Sequence, residues 1–473
     1  MIDLKKGAEL ELNVESLAFG AKGVSRLNGY VVFVEEALPG QRVLAQIIKK
    51  KKGYAEARPL AIIRQSPNFI EPRCRHFEDC GGCLLQNLDY QIQLNSKQQQ
   101  VKELLEHLGG LPVPPVLPVI GSPEIFFYRN KMEFSFSRQR WLTRAEIAGN
   151  DVKLSKNFAL GLHARNRYDK TLAIEECHLQ SPQSNQILVA VRDFTSQHHL
   201  LPYTTFGHTG FWRFLVIREG KKTGEVMVNI VTADTPEGRE AVQQLAAKLL
   251  AKFPQITTIV HNLNRSKAQI ATGEEELILR GPGYIRERIG LFTFQISANS
   301  FFQTNTAGAE KLYTVAREFA ALTGQETVYD LYCGAGTISI FVAQRAKQVV
   351  GFEIVPPAIH DAGVNCRLNN VTNCVFVQGD LKDELAQTPL LTRRWGKPEV
   401  VIIDPPRAGM HPKVVQKVIE LSPRRIVYVS CNPSTFSRDV KELSTRGYTL
   451  TKAQPVDMFP HTSHIEVVGA LEK

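Results

Sequence analysis

From residue 305 onward, apolar runs of strand length alternate with helical stretches, and this alternation restricts the chain more than any other feature. TVYDLYC, QVVGFEI, CVFVQGD, EVVIIDPP and RIVYVSC read as strands. Helical patterns at 338–346, 356–369, 412–421 and 434–446 separate most of them. Strands joined through helices lie parallel, and a parallel sheet is covered on both faces. No helical pattern lies between TLTKAQPVDMF and HIEVVGALE. These two runs predict a hairpin, with the last strand antiparallel at or near an edge.

Upstream the pattern changes. Residues 1–65 hold four or five short strand-like runs, punctuated by Gly20, Gly23, Gly29 and Pro39-Gly40. They suit a small β-barrel of oligonucleotide-binding type. The basic run Lys49–Lys52 beside Tyr54 fits a solvated turn or an RNA contact equally. Residues 66–90 are loop-like. Val101, Leu104, Leu105 and Leu108 predict a helix that Gly109-Gly110 ends, and Pro112, Pro114, Pro115 and Pro118 a stiff connector. Residues 119–290 read as mostly strand, with one clear helix in REAVQQLAAKLLAKF. The expected units are 1–65, 66–290 and 291–473, in line with roughly 150 residues per domain.

Composition excludes whole classes. At 43% hydrophobic and 22% charged, the chain is neither disordered nor low in complexity. No apolar run approaches the ~18 residues of a membrane span. MIDLKKGAEL lacks the apolar centre of a secretory signal, so a cytoplasmic protein is expected. Its eight cysteines then read as thiols, metal ligands or nucleophiles rather than disulfides. Lys plus Arg is 57 against 47 Asp plus Glu, a net charge of +10 that permits a polyanionic partner without proving one. Nothing marks a coiled coil or an apolar partner helix, so a monomer is expected.

Asp330-Leu-Tyr-Cys-Gly-Ala-Gly-Thr337 follows the first strand of the alternating region and opens a helix. Glycines there let a ligand approach the backbone at a helix N-terminus. Glu353 ends the second strand, where a carboxylate can accept both hydroxyl protons of a ribose. Asp380 ends the third and Asp404 the fourth, at the strand ends where such sheets hold ligands. The third glycine of a dinucleotide fingerprint is absent, since position 339 is serine. The pattern fits S-adenosylmethionine better than a dinucleotide.

Cys431, in Val-Ser-Cys-Asn-Pro, follows the fifth strand and lies at the same edge. A helix starting near Ser434 would favour its thiolate through the helix dipole, making it a candidate nucleophile. Glu466 opens the last strand and is a candidate general base. His461 and His464 lack a third ligand at a matching spacing. Cys333, Cys366 and Cys374 read as packing or structural residues. Cys74-x5-Cys80-Gly-Gly-Cys83 puts three thiols in one loop, and Cys177 is the remaining cysteine upstream of the alternating region. Four thiolates can hold Zn²⁺ or a [4Fe–4S] cluster, and spacing alone favours neither.

Taken together, Phe301-Phe-Gln-Thr-Asn305, Asp330–Gly336, Asp404-Pro-Pro-Arg-Ala-Gly409, Ser430-Cys-Asn-Pro433 and Asp457-Met-Phe-Pro-His461 through Glu466 carry a specific likeness. Residues 290–473 resemble the uracil-C5 RNA methyltransferases. The resemblance implies a Rossmann-like class I methyltransferase domain within an α/β chain. It also implies that Cys431 attacks C6 of uracil, that C5 takes the methyl of S-adenosylmethionine, and that Glu466 removes the C5 proton. Gln303, Tyr332, Thr337, Glu353, Asp380 and Asp404 match positions lining the cofactor and the target base. Members with the same cysteine loop carry [4Fe–4S], which selects the cluster for Cys74, Cys80, Cys83 and Cys177. Residues 1–65 resemble the TRAM domain, an RNA-binding barrel, through Phe19-Gly-Ala-Lys-Gly-Val24 and Ala37-Leu-Pro-Gly-Gln41. In the central region, Tyr128-Arg-Asn-Lys131 is the clearest match. Phe302 and Arg407 are expected to help draw a uridine from its stack. The resemblance points to 23S rRNA as partner, with the T-loop of tRNA second.

Two other classes are weighed against this. A radical S-adenosylmethionine enzyme needs Cys-x3-Cys-x2-Cys and an open iron, whereas the first spacing here is five and a fourth cysteine exists. A non-enzymatic RNA-binding Fe–S protein would be indifferent to loss of Cys431.

Overall fold

The computed structural model describes residues 5–149 and 156–473. The C-terminal sheet has seven strands in the order Cys374–Gln378, Gln348–Glu353, Thr327–Leu331, Val400–Ile403, Arg425–Ser430, Glu466–Glu472, Thr449–Val456. The first five are mutually parallel, and Glu466–Glu472 runs antiparallel between its two neighbours. The hairpin is as expected, with the final strand one place in from the edge. Alternate residues feed two cores. Val328, Ile402 and Val427 face one helical layer, and Tyr329, Ile403 and Tyr428 face the other. That two-sided burial is why these strands read as unbroken apolar runs.

Helices Thr337–Ala343, Pro356–Leu368, Pro412–Leu421 and Pro433–Ser444 lie close to the expected bounds. Helices Thr306–Ala320 and Thr388–Trp395 are additional. Connections go opposite ways from Thr327–Leu331, to Gln348–Glu353 on one side while Val400–Ile403 lies on the other. The reversal leaves a crevice at their carboxyl ends.

The N-terminal sheet has six strands rather than four or five. Gly23–Leu27 and the two-residue Ser16-Leu17 are too short and polar to stand out in the sequence. Lys49 pairs with Glu56, and Tyr54 packs edge-on against Phe33. In the central region eight strands form one sheet, covered by helices Pro182–Gln197 and Pro236–Lys252, and a separate hairpin joins Tyr284–Ile289 to Phe292–Ser297. The proline connector lies along the outermost C-terminal strand, where Leu117 donates to Ala453 O and Ile120 to Pro455 O. It thereby covers an edge that would otherwise be open to pairing.

Helix Tyr90–His107 buries Gln93, Lys97 and Gln100 along with Leu94, Val101 and Leu105, while Leu108 is its exposed C-terminal cap. The polar half of this face meets the segment before the last strand. Lys97 Nζ donates to Asp457 Oδ1 at 2.8 Å, with both side chains buried. Tyr90 donates to the other carboxylate oxygen at 3.0 Å. Gln93 Oε1 accepts the His461 backbone N–H at 3.0 Å. No helix among the described residues is long and apolar enough to cross a membrane.

Candidate active site

The strand Thr327–Leu331 ends in a turn forced into left-handed backbone, with Tyr332 at φ 67°, Gly334 at φ 54° and Gly336 at φ 75°. A side chain on Gly336 would come within 2.9 Å of the Phe376 ring, so this position needs glycine. No atom lies within 4 Å of where one on Gly334 would stand, which leaves that face open to a ligand. Glu353 is locked beside the turn: its carboxylate accepts the N–H of Gly334 at 3.1 Å, Ile354 at 2.8 Å and Val355 at 2.9 Å. Asp380 caps the short helix Leu381–Glu384, and the Lys382 N–H and ammonium hold its carboxyl below the usual range. Thr337 Oγ1 lies 3.2 Å from the Tyr313 hydroxyl. Asp330 accepts from Ser339 Oγ at 2.5 Å, and burial pushes its carboxyl up to about 7.

Cys431 and Glu466 meet through strand register. Ser430 pairs with Val467, so the next two residues face each other where the ladder ends. Asp404 arrives from the neighbouring parallel strand, its N–H bonded to Leu331 O at 3.3 Å. Glu466 is 3% exposed, and burial, then the charge of Asp404, pushes its carboxyl up to about 8, against the pull of Arg407. Asp404 is half-buried, and burial, then the charge of Asp330, pushes its carboxyl up to about 7. The half-buried Cys431 thiol is pushed up to about 11 by burial and then by Glu466 and Asp404, with Arg407 opposing. The following helix does begin here, at Pro433. Burial and the two carboxyls thus favour the thiol over the expected thiolate.

Gln303 is buried in a segment strapped down from the central region. Asn130 Nδ2 donates to Gln303 O and to Thr306 Oγ1, each at 2.9 Å. Asn305, which caps helix Thr306–Ala320, donates to Met458 O at 3.0 Å on the segment leading to Glu466. Gln303 is thus tied to the segment before Glu466 through its neighbours, whereas Asp404, Cys431, Glu466 and Arg407 lie close enough to feel one another's charge. Phe302, expected to help extrude a base, is 3% exposed and packs on Phe294. Its neighbour Phe301 is the ring in solvent, 71% exposed.

The model of the tRNA (uracil-5-)-methyltransferase family matches residues 223–473, and that of the TRAM domain matches residues 3–60. The chain belongs to the tRNA (uracil-5-)-methyltransferase family. An uncharacterized RNA methyltransferase of Chlorobaculum tepidum is 43% identical, over 100% of this chain and 98% of that protein. Another, from Bacteroides thetaiotaomicron, is 42% identical over 96% and 100%. Among solved structures, the Pyrococcus abyssi tRNA (uracil-54, C5)-methyltransferase in complex with S-adenosyl-L-homocysteine superposes with a TM-score of 0.73 at 30% identity, covering 98% of this chain and 100% of that one.

This uracil-5 RNA methyltransferase has a cofactor edge suited to S-adenosylmethionine. The open face over Gly334, the fixed Glu353 carboxylate and the Asp330 Oδ1 without a protein partner fit a cationic, ribose-bearing ligand. Away from that edge, Cys74, Cys80, Cys83 and Cys177 line one cavity of about 660 Å³. None is in a disulfide, and Cys80, Cys83 and Cys177 are each 8% exposed. Backbone N–H groups point at the sulfurs, from Gly82 to Cys80 at 3.4 Å, and from His76 to Cys74 and Leu179 to Cys177. Such donors suit thiolates. Among the described residues, no group of three or more His, Cys, Asp or Glu is arranged to hold a single metal ion. His461 is not a ligand either: it is buried, stacked on Phe126 at 4.4 Å, and its carbonyl accepts the N–H of Leu84 and Leu85, next to Cys83.

The sequence reading missed Asn130 as the strap under Gln303, and Tyr313, whose phenol is buried against Thr337 and feels Asp404, Glu466 and Asp330. Tyr313 sits with Leu312 and Ala316 on the buried face of helix Thr306–Ala320, so an amphipathic pattern there was its available signal.

Proposed function

We propose that this chain methylates C5 of a uridine in RNA, 23S rRNA first, through a covalent bond from Cys431 Sγ to C6. The observation that carries this reading is the meeting of Cys431, Glu466 and Asp404 at one strand edge beside the Gly334 turn. Uracil C5 is a weak nucleophile until C6 is saturated, so a thiol must add first. Asp404, in its ionised form, accepts the thiol proton as Sγ adds to C6, which leaves the Glu466 carboxylate free for the later step. When bound, S-adenosylmethionine supplies the methyl group and a positive charge. After transfer, C5 still carries its own proton. Glu466 in its ionised form, made a strong base by a value raised to about 8, takes it. The electron pair re-forms the C5–C6 double bond, and Cys431 leaves as thiolate and regains its proton from Asp404. Glu353 holds the ribose hydroxyls, Asp380 meets the adenine amine, and Tyr332 and Thr337 line the cofactor. Gln303 and Asp404 orient the uracil, and Arg407 moderates the charge on both reacting groups.

Residues 1–65 and 66–290 bind RNA and position it for 291–473. Cys74, Cys80, Cys83 and Cys177 would hold a [4Fe–4S] cluster in a supporting role. A tRNA T-loop is the second reading, favoured by the full-length likeness to the Pyrococcus abyssi enzyme. The test is 5-fluorouridine RNA: intact enzyme forms a denaturation-resistant complex and Cys431→Ala does not. If intact enzyme never forms that complex, the covalent route is wrong. Mapping 5-methyluridine in RNA from a deletion strain separates rRNA from tRNA.

A further inference from the structure

A second cavity, of about 1270 Å³, opens on the central sheet. Three aromatic rings stand around it: Trp141, 36% exposed, Tyr168, 90%, and Phe206, 91%. They come from separate places, the strand Arg140-Trp141, the start of Arg167–Ala173 and the loop between Thr204 and Thr209. A single exposed ring needs no explanation, but three converging on one groove mark a recognition surface.

The charge around these rings is basic. Arg138, Arg140, Lys156 and Lys170 line the groove with one carboxylate, Asp169. Lys170 is answered by Asp169 at 3.2 Å, and Arg140 by Glu146. The Arg138 guanidinium donates to the carbonyls of Pro202 and Thr209, each at 2.9 Å. Neutral acceptors fix its position without cancelling its charge. The Lys170 ammonium lies 5.7 Å from the Trp141 ring centre. The groove is also continuous with the rest of the molecule. His163 and Tyr168 line both it and the four-cysteine cavity, whose wall includes Thr304, next to Gln303.

We propose that this groove binds a single-stranded stretch of the substrate RNA, with bases stacked on Trp141, Tyr168 and Phe206 and phosphates against Arg138 and Lys156. It rests on the reading that this chain modifies RNA, and adds a site outside the reacting pocket. Stacking requires unpaired bases, because a duplex hides their faces. Rings interleaved with cations suit a nucleic-acid strand better than an acidic peptide, which offers charge but few flat faces.

The test uses the full chain and a fluorescent oligoadenylate, which has no uracil for the catalytic cleft. The variant W141A/Y168A/F206A should bind it about tenfold more weakly or worse. Lys156→Glu, a surface change that leaves folding intact, should weaken binding and flatten its salt dependence. Wild-type affinity in both variants, preference for a duplex of the same length, or tighter binding of an oligoglutamate peptide would each overturn the groove. Methylation of RNA is read in parallel. Oligonucleotide binding without methylation removes the functional reading and keeps the groove; methylation with unaltered variants removes the groove alone.

Discussion

Cys431 and the group Cys74, Cys80, Cys83 and Cys177 share one functional group and differ in what surrounds it. Cys431 is half-buried at a strand end, facing Glu466 and Asp404, both shifted into the physiological range. Its proton has somewhere to go and its sulfur has an open side. The four upstream thiols face one another and backbone donors, and burial pushes Cys80 up to about 12. Four such sulfurs become anionic together only around a cation. A sulfur that reacts needs titratable neighbours; sulfurs that fasten need enclosure and N–H donors.

The sharpest way to break this contrast is Cys431→Ala. Methyl transfer should fall by about a thousandfold or more. The melting temperature should stay within about 2 °C, since a half-buried sulfur holds little together. Next is Glu466→Gln, expected to slow turnover by about 10²–10⁴. Because proton removal follows methyl transfer, an adduct with ordinary uridine RNA should then survive on a denaturing gel. Cys83→Ser tests the other half of the contrast. It should abolish iron binding and lower the melting temperature by roughly 5 °C or more, while methyl transfer per folded molecule falls less than about tenfold. The smallest effect is one of pH. Glu466 is raised from 4.5 to about 8 in the folded state, which therefore keeps a proton that the unfolded chain loses. Stability should fall as pH rises through that window, by an amount on the order of a few kcal/mol. Glu466→Gln removes the penalty, so its melting temperature should gain on wild type from pH ~5 to ~9. A constant difference would mean the carboxyl is not raised.

The parallel sheet was legible because its strands are buried on both faces and its helices on one, two periods that alternate along the chain. Cys431, Glu353 and Asp404 were legible because each stands at a strand end with a proline within the next three residues, a fixed place in such a sheet. Asn130 and Tyr313 were not, since each acts through a partner more than twenty residues away in sequence. The thiolate expected at Cys431 is disfavoured first by burial and then by carboxyls on other strands, neither of which a local helix start reveals. Gln93 and Lys97 were hidden because a buried polar face has no apolar periodicity.

The Lys97–Asp457 pair also sets an order of events. Lys97 leaves the ribosome 360 residues before its counter-ion. Until then an ammonium destined for the interior has no anion to meet, and burying it alone would cost several kcal/mol. Helix Tyr90–His107 cannot close onto its final seat during most of synthesis. The last stretch of the chain, which carries Asp457, His461 and Glu466, is therefore also the latch that completes the assembly of its beginning.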